Sequence, residues 1–347
     1  MTTPASEYLL GLGPRPVDLS VQSVRLCAAL SFAVAKQKKQ HLIPNCYLKA
    51  WCDPVVPPGQ SPFIWRVPKD GGNPFRRSPE KSFTATDRYT IKMPNGERNL
   101  IIEDTLAELE SKFVRVRDRI SKREPLSDVD RATLCLFTAA MHSRTNKAGE
   151  HWRKTQQEMH DQVVAMEKAM GADPNTSLET GALLENAHQF FLAMSLESEA
   201  PLYFQMNLTI MVTDDPTGFI TSDAPCSWYN PKAHTMPPFY RSPGLMQNDI
   251  EVTMPLTPQL MLMFSHHKFE PYVEVGQFLV EHANHRIRAF ADKEFVSGKV
   301  SLVRSGSLSA NCRRTHGKTP KRVRRRCANK LSGMRCRNRL VYSSRIV

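Results

Sequence analysis

No stretch of eighteen or more consecutive apolar residues occurs in this 347-residue chain, so no membrane-spanning helix is expected. No two cysteines stand in C-x-x-C spacing. The eight are Cys27, Cys46, Cys52, Cys135, Cys226, Cys312, Cys327 and Cys336, which excludes a zinc ribbon and a thioredoxin-like motif. Also lacking are a Gly-rich phosphate loop, His-Glu-x-x-His, Gly-x-Ser-x-Gly and a dinucleotide fingerprint. Each supplies a backbone geometry on which kinases, zincins, α/β hydrolases and Rossmann oxidoreductases depend, so those classes are set aside. Ser222 has no elbow glycines and is no candidate nucleophile. Acidic residues are missing from one whole segment. Ser301–Val347 carries 14 Lys and Arg with no Asp or Glu, leaving 33 basic and 34 acidic residues before it. The net charge of +13 therefore belongs to the tail.

That tail suits non-specific binding of nucleic acid, or of another anionic surface, by electrostatics alone. With Tyr342 as its one aromatic it has no platform on which bases stack, and plain disorder is the other expectation. Cys312, His316, Cys327 and Cys336 fit no common zinc template. At the other end, residues 1–35 read as a leader, disordered or loosely packed. Ala33-Val34-Ala35 imitates a signal cleavage site, but Glu7 and Asp18 spoil the region before it. Between the two lies a single α+β domain, residues 36–300. The chain's 41% apolar content, four Trp and sixteen Phe supply a core for it. Reduced thiols in a cytoplasmic protein account most simply for its cysteines.

Within the domain, Asn45–Trp51 reads as a short helix after the extended His41-Leu-Ile-Pro44. Strands are expected at 62–67 and 87–92, with a turn-rich connection at 68–79 between them. Leu106, Leu109, Phe113, Val116 and Ile120 recur at spacings of three and four, one face of a helix over 103–122. Ser127–Asp130 is a capping box opening the next helix, with an apolar set of Val129, Ala132, Leu136, Phe137, Ala140 and Met141. The polar run 146–170 continues it to Gly171, and 178–198 forms a third helix. After Pro201 the pattern turns to strand. A hairpin is expected from 204–213 through Asp214–Gly218 into Phe219–Asp223. Strands at 250–256 and 260–265, a helix at 275–290 and an edge strand at Phe295–Val296 follow. The expected architecture is a helical layer (about 101–199) on a mixed or antiparallel sheet, built mainly from 204–298 with N-terminal strands added.

The order of these motifs resembles the domain of unknown function 4238 family of microbial proteins. Gln40-His41-Leu-Ile-Pro44-Asn-Cys-Tyr47-Leu48 is similar to that family's opening. Glu103, Glu110, Arg144-Thr145, Phe219-Ile-Thr-Ser-Asp223-Ala-Pro225, Pro255-Leu-Thr-Pro258 and Asn284 follow in its order. Ala224 departs from the family, which usually has Asn there. The resemblance covers about 38–298 and implies an α+β domain with no known activity.

His41, Glu110, Arg144 and Asp223 are the candidate catalytic residues. Carboxylates and imidazole hold Mg2+ or Mn2+, and a guanidinium neutralises a phosphodiester transition state, so His41, Glu110 and Asp223 are the candidate metal ligands. This set suits a metal-assisted hydrolase of nuclease-like type. The same four residues equally suit a structural polar network in a non-catalytic binding or interaction protein. Glu103, seven residues before Glu110, shares its helix face or serves as a helix-start carboxylate.

Overall fold

Pro44 holds the chain extended and releases it into a short helix. This computed structural model describes residues 39–92 and 97–299, and in it strand β1 (Lys39–His41) leads through Pro44 into α1 (Asn45–Leu48). A 3-10 turn over Lys49–Trp51 continues α1 and buries Trp51 beside Tyr47, with ring centroids 4.9 Å apart. The leader and the tail lie outside the described residues. The three-and-four spacing produces α2 (Ile101–Ser121), whose Leu106, Phe113, Val116 and Ile120 are buried.

α3 (Asp128–Ser143) opens on the expected capping box: Asp130 N–H donates to Ser127 Oγ, and Ser127 N–H donates to the Asp130 carboxylate. Phe137 from α3 stacks on Phe113 from α2 at 3.7 Å, and Tyr47 tilts against both. Val129 belongs to the outer side of its first turn, 74% exposed, and not to the core face expected for it.

Two helix boundaries differ from the sequence reading. The polar run does not continue α3. Thr145, with extended ψ of 149°, ends it and caps α4 (Asn146–Met170) by accepting from Ala148 N–H at 3.1 Å. The third helix is two, α5 (Asn175–Glu185) and α6 (Ala187–Gln205), and α6 runs straight through Pro201. A proline inside a helix forfeits one backbone bond and is disfavoured. Packing of α6 on α3 overrides that preference, with buried Glu199, Ala200 and Tyr203 flanking the proline.

The strands divide into two main sheets. β2 (Ile64–Pro68) and β3 (Phe75–Arg77) come early, then β4 (Thr84–Thr86), which pairs with β1, and the small pair β5 (Ile91–Lys92) and β6 (Arg98–Asn99). All three residues of β3 are exposed, so no apolar alternation marked it within the expected turn region. The later strands are β7 (Asn207–Val212), β8 (Thr221–Ser222), β9 (Ser227–Tyr229), β10 (Glu251–Thr257), β11 (Leu260–Ser265) and β12 (Tyr272–Glu274). After α7 (Gln277–Phe290) comes β13 (Glu294–Ser297). One sheet has the order β12-β7-β11-β10-β9, antiparallel except for the parallel β12–β7 pair. The other, antiparallel throughout, has the order β3-β2-β13-β8. β13 is thus an interior strand, because β8 covers the side expected to be an edge.

The expected hairpin into Phe219–Asp223 does not form, since β7 and β8 belong to different sheets. Gly218 turns the chain with φ of 60°, and an added Cβ there would stand 2.7 Å from the Pro258 carbonyl oxygen. Phe219 N–H donates to that same carbonyl at 2.6 Å. The crossing segment is then fixed by distant side chains. Trp51 Nε1 donates to Phe219 O at 2.9 Å, and the Tyr47 hydroxyl donates to Pro255 O and meets Thr221 Oγ1, both at 2.7 Å. Asn284 accepts from Ile220 N–H through Oδ1 at 2.9 Å and donates to Gly218 O through Nδ2 at 2.8 Å.

Replacing Asn284 with Ala leaves two buried backbone groups unpaired, each costing about 1–3 kcal/mol. Urea denaturation of Asn284→Ala is expected to show a loss of about 2–6 kcal/mol at an unchanged m-value.

Candidate functional site

Because Thr145 caps the following helix, Arg144 stands at the C-cap of α3, just after Ser143, where its side chain turns inward with only 3% exposure. Nη1 donates to Glu110 Oε1 at 2.7 Å and Nη2 to the backbone carbonyl of His41 at 2.6 Å. Nε reaches the Tyr89 hydroxyl at 3.4 Å, with the guanidinium 5.4 Å from that ring's centre. Burial works against the Arg144 charge, but Tyr89 and Glu110 outweigh it, and the group is held firmly protonated. The second Glu110 oxygen faces Cys46 Sγ at 4.0 Å. Burial, with Glu110 next in weight, pushes the Cys46 thiol up to about 11, so it is no thiolate nucleophile at neutral pH.

Glu103 lies two turns earlier on α2, and its Oε2 is buried with no hydrogen-bond partner. Burial shifts its carboxyl above the usual range, the nearby Arg144 charge opposing and the Glu110 charge adding to that shift.

His41 enters this cluster through its backbone. Its ring Nε2 donates to Glu80 O at 2.9 Å, which fixes the proton on that nitrogen. The preceding Gln40 is buried and clamps a loop: its Nε2 donates to Thr90 Oγ1 and its Oε1 accepts from Tyr89 N–H at 2.6 Å.

Asp223 ends β8 and accepts three backbone N–H bonds, from Asp292 at 2.8 Å, Lys293 at 2.7 Å and Glu294 at 2.9 Å. Burial nonetheless raises its carboxyl above the usual range, outweighing those three bonds. It lines a cleft of about 230 Å³ together with Leu42, Ile43, Asn146, Arg66 and Lys81. The cleft thus touches neighbours of three of the motifs.

Of the four expected residues, Glu110 and Arg144 meet side chain to side chain. His41 joins them by its carbonyl, and Asp223 shares no hydrogen bond with any of the three. His41, Glu110 and Asp223 are engaged with Glu80, Arg144 and the 292–294 backbone respectively. Among the described residues no group of three or more His, Cys, Asp or Glu is placed to hold a metal ion.

Sequence reasoning missed the partners that extend the Arg144 cluster. Arg88 Nη1 donates to His188 Nε2 at 2.7 Å, and Gln189 Nε2 donates to Thr90 O at 3.1 Å. Burial, then the Arg88 charge, brings His188 down to about 4, which keeps it neutral at pH 7. A Cβ on Gly149 would stand 2.5 Å from Arg88 and 2.6 Å from His188, so that glycine lets the pair lie against α4. A glycine within a charged helical run was the visible signal. A second missed network joins α3, α6 and β9. Trp228 Nε1 donates to the Tyr203 hydroxyl, which donates to Glu199, and Glu199 also accepts from His142 Nδ1 at 3.0 Å.

The family model described as protein of unknown function (DUF4238) matches residues 39–300, well over half of the chain. No curated protein and no solved structure matches it.

Glu103 also makes stability depend on pH. Its folded-state pKa is raised, so the folded protein holds that proton more tightly than the unfolded chain. Its contribution is present below the ordinary carboxylate range and is lost as pH rises through the shifted value. Glu103→Gln removes this loss. As pH rises from 4 to 8 the melting temperature of the variant is expected to gain on that of the parent, with its advantage largest at neutral pH.

Proposed function

Since the chain belongs to the family of proteins of unknown function DUF4238, which brings no activity with it, we propose its function from the geometry. It is a cytoplasmic, non-catalytic binding or interaction protein acting as one α+β domain over 36–300. Arg144, Glu110 and the His41 carbonyl serve in it as a structural polar network, and Asp223 as a separate anchor for the 292–294 backbone. One observation carries this reading: three Arg144 donors and both Asp223 oxygens are engaged inside the protein, on Glu110, His41 O and Tyr89 and on three backbone amides. A guanidinium so engaged cannot meet a developing phosphate charge without abandoning the helix end it anchors.

The size of the cleft supports the same reading. At about 230 Å³ it falls below the ~300–1,000 Å³ usual for small-molecule sites. The cytoplasmic assignment rests on free thiols at Cys46, Cys52, Cys135 and Cys226, the four described cysteines. No helix among the described residues is long and apolar enough to cross a membrane.

The metal-assisted, nuclease-like hydrolase is the second reading, favoured by one feature. Asp223, with its carboxyl shifted upward, lines that cleft together with Asp292, Lys81 and Lys293.

Arg144→Ala strands Glu110 without its charge partner and is expected to cost about 3–5 kcal/mol in chemical denaturation. The wild type is expected to cleave no member of a nucleic-acid panel with Mg2+ or Mn2+. Cleavage by the wild type that Asp223→Ala or His41→Ala abolishes, at an unchanged melting temperature, decides for the hydrolase instead.

A further inference from the structure

Between Asp223 and Asp249 the chain contains no acidic residue, yet it carries Lys232, Arg241 and His234. Within this stretch lies a proline-rich loop, residues 231–247, with an unusual apolar tip. Phe239 is 87% exposed, Tyr240 59% and Met246 76%. Isolated exposed apolar residues are ordinary, but an adjacent aromatic pair held out by a well-braced loop is not.

The bracing is extensive. Asn230 is buried, and its Nδ2 donates to Gln247 Oε1 at 2.7 Å. The Gln247 amide donates in turn to Tyr240 O and Ser242 O, at 3.0 and 2.8 Å. Leu245 and Ile250 anchor the returning arm in the main core, and His266 Nε2 donates to Leu245 O at 2.8 Å. The tip itself is a 3-10 turn, Pro238–Tyr240, whose two rings meet edge to face at 5.2 Å. A loop tied by its own side chains in this way keeps its tip ordered without covering it.

The charges within the loop are of one sign. Asp249 is occupied by Lys232 at 2.8 Å and by His267 at 3.0 Å. Arg241 spends only Nε, on Met236 O at 3.0 Å, and is otherwise exposed. An apolar tip with cations beside it matches the layering of a lipid surface, in which an anionic headgroup zone overlies hydrocarbon. Tyrosine belongs at that boundary, and phenylalanine and methionine lie below it.

We propose that the loop 231–247 docks this protein onto an anionic lipid surface, with Phe239, Tyr240 and Met246 entering the headgroup boundary and Arg241 meeting the phosphates. The inference is independent of the role given to the Arg144 network, which shares no residue with it. A basic tail adsorbs to such surfaces by charge alone, so the test must separate insertion of the loop from adsorption of the tail.

The full chain is floated with phosphatidylcholine vesicles, with and without phosphatidylserine, at about 0.15 M salt. Binding is expected only with phosphatidylserine, and the double variant Phe239→Ser/Tyr240→Ser is expected to lose it by about tenfold or more at an unchanged melting temperature. In a Phe239→Trp variant, brominated lipid is expected to quench fluorescence beyond the quenching seen in the parent. Equal binding by the double variant, no extra quenching, or no binding to either vesicle overturns the proposal. So does loss, in the double variant, of affinity for a single-stranded oligonucleotide when vesicles are not bound, since the rings would then be a base-stacking platform.

Discussion

The structure depends on how the segment Gly218–Ala224 passes from one sheet to the other. It is buried along most of its length, so each backbone N–H and C=O must find a partner or cost free energy. Two residues of β8 cannot supply those partners by ladder pairing alone. Trp51 and Asn284 supply some of them from far away in the chain, Tyr47 holds the Thr221 hydroxyl, and Asp223 returns the favour by gathering the amides that start β13. The N-terminal helix, both main sheets and the last helix are therefore held in one arrangement by side-chain hydrogen bonds to a single short segment.

Arg144 performs the corresponding task for the helical layer. Burying a guanidinium is costly unless its donors are matched, and here the match is distributed among α2, β1 and the loop at Tyr89. Those three bonds tie the end of α3 to α2, to β1 and to the Tyr89 loop. Glu103 shows that the balance is incomplete. One of its oxygens is buried without a partner, next to an arginine already engaged by Glu110.

Local features were legible in the sequence, and relations between distant segments were not. The spacing of Leu106 through Ile120 and the capping box at Ser127 depend on neighbours within a few residues, and both appear where expected. The hairpin between β7 and β8 was not legible as false. Asp214–Gly218 has suitable turn chemistry, and only the contact of Gly218 with Pro258 sends the chain elsewhere. Pro201 misled for a similar reason, since packing on α3 outweighs one lost backbone bond. At the candidate site the residues were found but their working atoms were not. His41 contributes a carbonyl, which any residue at that position carries, while its imidazole serves Glu80.

This division explains where a binding surface is to be sought. Glu103 apart, most polar residues that answer the family's motifs are occupied, among them Gln40 with Thr90, Tyr47 with Thr221, Arg144 with Glu110, Asp223 with 292–294 and Asn284 with Ile220. Polar groups already satisfied by the fold gain little by exchanging those partners for a ligand, because the desolvation they have undergone is already compensated. Recognition is stronger where apolar surface is still in water and the backbone is already ordered, since ordering then costs nothing further on binding. The loop 231–247 meets both conditions, with its bracing drawn from Asn230 and Gln247 and its aromatic tip left in solvent. The motif residues tie distant segments together, and the exposed aromatic pair of the loop lies outside those motifs.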